Sequence, residues 1–516
     1  MSRGVIFSND PTALLHFSNI IYGNYLVFFT KLFYSINFYT VNNFALIIIS
    51  LITISYNILL NSNYKTLILF LIILLPFTFN LFTTIQFTIL SSVLFISGVI
   101  SIFSYVKLKH TLLLYYGIIS IIFSSLIRFE QTIIIASFIL PVAFFIIYKL
   151  KESRKKTILI FSSVFIVCFL LSLYNKNYYK NVANYDFNEY NVRIASLFYD
   201  FKLLDKISSV DKKIALETFS ISENDAKLYN AFYLTPLLIN KAKTWNDKEI
   251  ASLYKKISNH FFNITTFLTQ TKYFENIYVF FIILAFLINH YISKKRINIF
   301  LFFGISLIYF FLVSLSINYF LKPMPFRTIL SVTFCILSLS IFYFVIITEK
   351  KHENIYIYSL ACLLLIFNSI QIKKSISIRK EFDFFNYNGL KSVYSKFDTT
   401  KKYVFYPPIK LLSYISVYDT FDWAKSTTIY RNSLMSQHPI ILQNYTNLKY
   451  AFDSQMFSDK NIRYITTKNS EKTLFPNIKK YYQEHYNCNI DILKDEKIYG
   501  NEYYSYKFIY LGKYKN

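Results

Sequence analysis

Long apolar runs separated by short basic connections organise this chain, more than any single motif does. Runs near 42–60, 66–82, 84–106, 111–127, 131–149, 156–174, 274–293, 297–318, 327–348 and 353–370 each approach the ~20 residues that cross a bilayer as a helix. Two polar blocks, roughly 175–273 and 371–516, interrupt or follow them. The pattern predicts an α-helical polytopic membrane protein with about ten spans, or one more if 13–34 also crosses. Its expected organisation is membrane helices over 1–174, a helical extracytoplasmic loop over 175–273, further membrane helices over 274–370, and a small α+β extracytoplasmic domain over 371–516.

The connections set an expected orientation. Lys65 follows the first run, Lys107 and Lys109 the third, and Lys149, Lys151, Arg154, Lys155 and Lys156 the fifth. Lys294, Lys295 and Arg296 follow the seventh, and Lys350 and Lys351 the ninth. All fall in alternate connections, so they share one side, and basic loops mark the cytoplasmic side. Residues 128–130, 175–273, 319–326 and the C-terminal block are then expected outside a bacterial plasma membrane.

Segment 13–34 is long and apolar enough to span, yet His16, Asn19, Gly23, Thr30 and Lys31 recur on it at helical spacing. That polar stripe suits a helix lying in the interface plane. A chain that begins outside needs an earlier helix to carry it across, so this reading places a first membrane helix before Met1.

Composition agrees with a membrane protein: 54% of residues are hydrophobic and 16% charged. The net charge of +26 invites a nucleic-acid partner. Lys is abundant alongside Asn, Ile, Tyr and Phe, while Gly (8) and Pro (10) are scarce, which is the imprint of AT-rich coding, so no nucleic-acid partner is expected. Cys168, Cys335 and Cys362 lie in apolar runs and Cys488 stands alone in the tail, with no CxxC or zinc spacing, so no disulfide framework or metal site is expected. No short apolar run with a basic leader opens the chain as a cleavable signal would. Glycine-rich phosphate loops, serine elbows and Walker motifs are missing, and no cofactor is evident.

The first polar block contains NYDFNEYNVRIASLFYDFKLLDKI, SISENDAKLYNAFYL and NDKEIASLYKKI, which read as short amphipathic helices, with Ser222 or Asn224 as a candidate N-cap. The last block looks α+β. YVFY (403–406), RYIT (463–466) and YYSYKFIYL (503–511) carry β-formers, and 471–486 reads as a helix.

Several stretches, in order along nearly the whole chain, resemble a family of bacterial multi-pass membrane proteins. They are HFSNIIYGNYLVFFTKLFYSI, LFTTIQFTILSSVLFISGVISI, LIRFEQ, FNEYNVRIASLFYDF, SISENDAKLYNAF, KPMPFRTIL, NIRYITTKN and IKKYYQEHY. That family looks like the GT-C superfamily of membrane glycosyltransferases. The resemblance implies a sugar donor on a polyprenyl phosphate and an acceptor that is a surface glycan, lipid or protein. It also implies a first membrane helix, an outward loop with a catalytic carboxylate, and then an interfacial helix matching 13–34. Met1 aligns after that first helix and loop, so the expected catalytic carboxylate precedes the chain as given.

Transfer from a lipid phosphate needs a base for the acceptor hydroxyl and cations for the departing phosphate. Asp10 is the one acid left in the first outward segment and the candidate base; the plainer role is an N-cap. Arg327, preceded by Lys322, Pro323 and Pro325, and Arg128 are the candidate phosphate-binding groups, with interfacial anchoring as the plainer role for Arg327, Lys322 and Arg128. Glu130 is either an acceptor contact or a local partner of Arg128. Arg193, Asp200, Asn224 and Asp225 either line an acceptor cleft or order the loop through salt bridges and caps. His16 reads as a packed residue, and Trp245 and Trp423 as packed aromatics that a sugar could also stack on. Two other functions compete with transfer. A glycan flippase requires ionisable residues deep in the spans, and a degenerate, non-catalytic assembly protein fits the missing carboxylate.

Overall fold

A computed structural model of the protein describes residues 13–15, 18–33, 38–62, 87–150, 153–181, 326–348, 401–405, 428–430, 461–499 and 503–513, with scattered positions in 64–72 and 212–241 and at 309. The helices are α1 (Ile20–Leu32), α2 (Phe38–Asn61), α3 (Phe87–Leu108), α4 (Thr111–Lys149), α5 (Arg154–Asn181), α6 (Glu223–Asn230) and α7 (Phe326–Thr348). Then come β1 (Lys402–Phe405), β2 (Thr428–Tyr430), β3 (Ile462–Thr467), α8 (Ser470–Thr473), α9 (Phe475–Tyr486), β4 (Cys488–Tyr499) and β5 (Tyr503–Lys513).

Four helices, α2 to α5, are long and apolar enough to cross a membrane, with mean hydropathy of 2.0 to 2.4. They coincide with expected runs, as does α7. The expected spans 274–293 and 353–370, all of 297–318 except Tyr309, and most of 66–82 lie outside the described residues.

At 39 residues, α4 would reach about 58 Å if straight, nearly twice a bilayer core. It is instead two arms. Arg128 leaves helical geometry (φ −161°, ψ 98°). Ser124 Oγ lies 3.0 Å from Thr132 Oγ1 across that break, although eight residues of unbroken helix would separate them by about 12 Å. The far ends meet as well, because Lys109 Nζ donates to Ser153 Oγ at 3.3 Å. Arms 111–127 and 129–149 therefore fold back on each other, as the separate runs 111–127 and 131–149 predict.

Two clusters fix the directions of α2, α3, α4 and α5. At one end Tyr105, Val106 and Leu113 pack with Leu60, Leu150 and Ile160, and Lys156 Nζ donates to Tyr105 OH at 2.7 Å. At the other, Tyr22, Ile47, Leu90, Leu126 and Ile127 pack with Phe87 and Leu171. Lys107 and Lys109 thus gather with Lys149, Arg154, Lys155 and Lys156 at a single end of the bundle, and the Arg128 turn lies at the opposite end.

Helix α3 is the axis of the bundle and is buried along its whole apolar length. It carries Thr88, Ser91, Ser92, Ser97, Ser101 and Ser104, all buried. Small polar residues let apolar helices approach and hydrogen-bond where no hydrophobic drive separates lipid from protein. Asn57 Nδ2 donates to Ser101 Oγ at 3.0 Å and Asn61 Nδ2 to Ser104 Oγ at 3.2 Å, joining α2 to α3. Cys335 Sγ donates to the Ser92 carbonyl at 3.4 Å, joining α7. Outward faces remain apolar, with Ile48, Ile52 and Leu59 on α2 and Leu159, Ile166 and Leu170 on α5 exposed.

Helix α1 has 13 residues, about 20 Å, too short to cross. Asn19 caps it, Oδ1 accepting from the Ile21 amide at 3.0 Å, while its own amide donates to Leu126 O at 2.8 Å and its Nδ2 to Leu171 O at 2.9 Å. The other end of α1 stacks Phe33 and Phe29 on Phe38, the first residue of α2. Both ends sit at the Arg128 end of the bundle, so α1 lies across it. Of the stripe expected to face polar surroundings, Lys31 is exposed and three residues are turned inward. Asn19, Gly23 and Thr30 are buried, whereas Ile21, Phe28, Leu32 and Phe33 are exposed.

The C-terminal sheet has the order β2-β1-β3-β5-β4. Strand β1 runs parallel to β2 and β3, and β5 runs antiparallel to β3 and β4. Helix α9 starts with Pro in its first turn and ends at Asn487 in the left-handed conformation (φ 51°), each suited to its place. Its Phe475 packs edge-on against Tyr506, 4.8 Å between ring centres, beside the Tyr464–Phe508 stack at 3.9 Å. Strands β1, β3 and β5 and helix α9 answer the expected segments. Strands β2 and β4 were not expected from the sequence.

Candidate functional site

Two places gather the residues singled out above. The first is the turn of α4. The Arg128 carbonyl at this break accepts from Thr132 Oγ1 at 3.1 Å and Ser91 Oγ at 3.3 Å. The sequence Ser124-Ser125, followed by Gln131-Thr132, supplies short polar side chains that satisfy the bent backbone inside an apolar bundle. Gln131 Nε2 also donates to Ser92 Oγ at 3.0 Å. The Arg128 guanidinium donates to Thr88 Oγ1 and lies over the Phe87 ring at 5.0 Å from its centre. Thr88 and Phe87 thus orient a planar cation at the end of the bundle, partly exposed. Glu130 projects beside it into the surroundings, exposed.

Arg327 occupies the first turn of α7. Cys335 meets Ser92, within two turns of the start of α3, and Tyr343 rings with Phe145 towards the basic end. The start of α7 therefore reaches the same end as Arg128. The candidates Asp10, Lys322, Arg193 and Asp200, with His16, Trp245 and Trp423, lie outside the described residues.

The second place is the junction of the polar insert with the C-terminal domain. Helix α6 opens with a capping box: the Asp225 amide donates to Ser222 Oγ at 2.9 Å, and the Ser222 amide donates to Asp225 Oδ2 at 3.2 Å. Ser222, not Asn224, is the cap. Asn224 reaches across, its Nδ2 donating to Asn477 O at 2.9 Å. Ser222 Oγ also donates to Glu484 Oε2 at 2.9 Å. The Asp225 side chain is wholly buried and meets Lys241 Nζ at 3.0 Å and His485 Nε2 at 2.7 Å. Burial opposes its charge, but the hydrogen bonds and charges of His485 and Lys241 prevail and hold the carboxyl below its ordinary range. These are the cap and salt bridges through which Asp225 is expected to order the loop.

Among the described residues one group offers metal-ligand atoms together, Asp225, Glu484 and His485, within 4.8 Å of one another. The Lys241 ammonium on the same carboxylate opposes a divalent cation there. Local spacing could not have shown this group, because Asp225 lies 260 residues from His485. Within the bundle, the buried polar side chains among the described residues are all uncharged Ser, Thr, Asn and Gln. No family model, no curated protein and no solved structure matches the chain.

Proposed function

We propose that this chain is a membrane glycosyltransferase of the GT-C type, moving a sugar from a polyprenyl-phosphate donor to a cell-surface glycan, lipid or protein. The observation that carries the reading is Arg128, a cation oriented by Thr88 and Phe87 at the end of the bundle away from the lysine clusters. A guanidinium there suits a lipid phosphate, whose headgroup lies at the same depth as a bundle end. Arg327 begins α7 at that end, and α1 lies across it as an interfacial helix with its apolar side to lipid.

The polar segments fall on the same side. Helix α5 leaves the basic end and finishes beside α1, where Asn175 Oδ1 accepts from the Ile20 amide at 2.8 Å. The insert follows, and its Asp225 touches His485 of the C-terminal domain. An even number of crossings between the two, as the sequence expects, is what that contact requires. With the basic end cytoplasmic by the positive-inside rule, insert and domain face outward over Arg128, where they would receive an acceptor. In such a reaction Arg128 and Arg327 stabilise the charge that grows on the departing phosphate, while a carboxylate takes the acceptor's proton. A flippase is less well supported, since the buried polar groups described in the bundle carry no charge.

The test is glycan analysis in a strain whose own copy is replaced. Loss of a surface glycan with Arg128→Ala or Arg327→Ala, at unchanged protein level in the membrane, supports the reading. Unchanged glycan in both variants overturns it.

A further inference from the structure

The contact between insert and C-terminal domain converges on one carboxylate. Asp225 Oδ2 receives Lys241 Nζ at 3.0 Å and the Ser222 amide at 3.2 Å, and Oδ1 faces His485 Nε2 at 2.7 Å. The Asp225 side chain has no exposed area, and that of His485 is 14% exposed. We propose that Asp225 and His485 form a proton-dependent latch, which holds the insert against the C-terminal domain more tightly in mildly acid than in mildly alkaline surroundings. This goes beyond the transfer reading and does not depend on it.

Imidazole is the side chain that ordinarily changes charge between about pH 5 and 8. An imidazolium on a carboxylate makes a charge-assisted bond roughly twice as strong as the neutral one, and burial shields it from salt. The other described groups around the pair belong to types that keep their charge over that range. Lys241 shares the carboxylate. Glu484 accepts from Ser222 and pairs with Lys480 at 3.7 Å. Glu223 pairs with Lys212 at 2.8 Å and Lys227 at 3.6 Å. The Tyr481 ring lies 4.9 Å from that of His485, and Tyr229 is held neutral by burial and by the Asp225 charge. His485 is then the one described side chain at the contact whose residue type ordinarily changes charge in that range.

The Asp225 carboxyl is held below its ordinary range, so its contribution is present above about pH 4 and disappears as pH falls through its docked value. Above that limit the charge-assisted form of the contact is the stronger one, which favours docking on the acid side of neutrality.

Hydrogen exchange on the full chain in detergent micelles, followed by mass spectrometry, reads the latch through peptides covering 219–230 and 475–486. After correction for intrinsic exchange, protection at about pH 5.5 is expected to exceed that at about pH 8 by roughly three- to tenfold. His485→Gln, which can still donate a hydrogen bond but does not titrate, is expected to show equal protection at both. Asp225→Asn is expected to show low protection at both. Peptides of α3 report that the bundle stays folded in each variant. Equal protection of the native chain at both pH values, or a pH dependence that survives in His485→Gln, overturns the proposal.

Discussion

Gly98 and Gly117 bring the axial helix α3 and the first arm of α4 into backbone contact. A methyl group on Gly98 would come within 2.7 Å of the Gly117 carbonyl oxygen, and one on Gly117 within 2.9 Å of the Gly98 carbonyl. Because α3 is buried on all sides, the two helices have no room to separate. Gly98→Leu is expected to cost about 1–3 kcal/mol or more through overpacking and to lower the melting temperature in detergent. Leu140→Ala, on the exposed apolar face of the second arm, is the control. Equal melting temperatures for the two variants would show that the helices are not apposed as described.

The turn at Arg128 separates charge from shape. Arg128→Lys keeps the charge but loses the planar fork that Thr88 and Phe87 orient. On the transfer reading, glycan output falls by about 10²-fold or more in Arg128→Ala, the usual scale for removing one group that stabilises developing charge. Arg128→Lys falls between Arg128→Ala and the native protein. Initial rates of sugar incorporation in membranes check this, and equal rates in all three proteins would remove Arg128 from the site.

Sidedness follows from the hairpin. Ser153 meets Lys109 at the basic end, whereas Glu130 is exposed at the turn. In a background freed of native cysteines, Glu130→Cys is expected to react with a membrane-impermeant maleimide on intact cells, and Ser153→Cys only after the membrane is opened. A reporter fused after residue 516 is expected to be active outside the cytosol. Labelling of both cysteines from the same side would contradict the fold-back of α4.

The junction offers a contrast in burial. Asp225→Ala removes a wholly buried carboxylate from the partly exposed Lys241 and His485, a loss on the order of 2–3 kcal/mol for charge-assisted hydrogen bonds. Glu223 pairs with Lys212 and Lys227 but is half exposed, so Glu223→Ala is expected to cost less than about 1 kcal/mol. Limited proteolysis of the insert in the folded protein checks the ranking, and comparable resistance in both variants would refute it.

Hydropathy alone located the helices, because a segment that crosses lipid must satisfy its backbone internally and present apolar side chains over a fixed length. Runs 84–106, 111–127, 131–149, 156–174 and 327–348 reappear as α3, the two arms of α4, α5 and α7, and even the turn at Arg128 was visible as a gap between runs. The β-formers at 403–406, 463–466 and 503–511 were equally legible. Strand β4, CNIDILKDEKIY, was not, since its charges obscure alternation and its pairing comes from β5. Three-residue β2 is too short to carry a pattern.

Tertiary structure decided the rest. In α1 the stripe of Asn19, Gly23 and Thr30 was legible, but its direction was not. The same stripe can face water or a protein interior, and here Asn19 meets hydrogen-bond partners from α4 and α5 while Phe28 and Phe33 face out. Asp225 read as one acid among several in a polar loop. Its burial and its pairing with His485 depend on residues 260 positions away, a separation at which only the folded chain brings charges together.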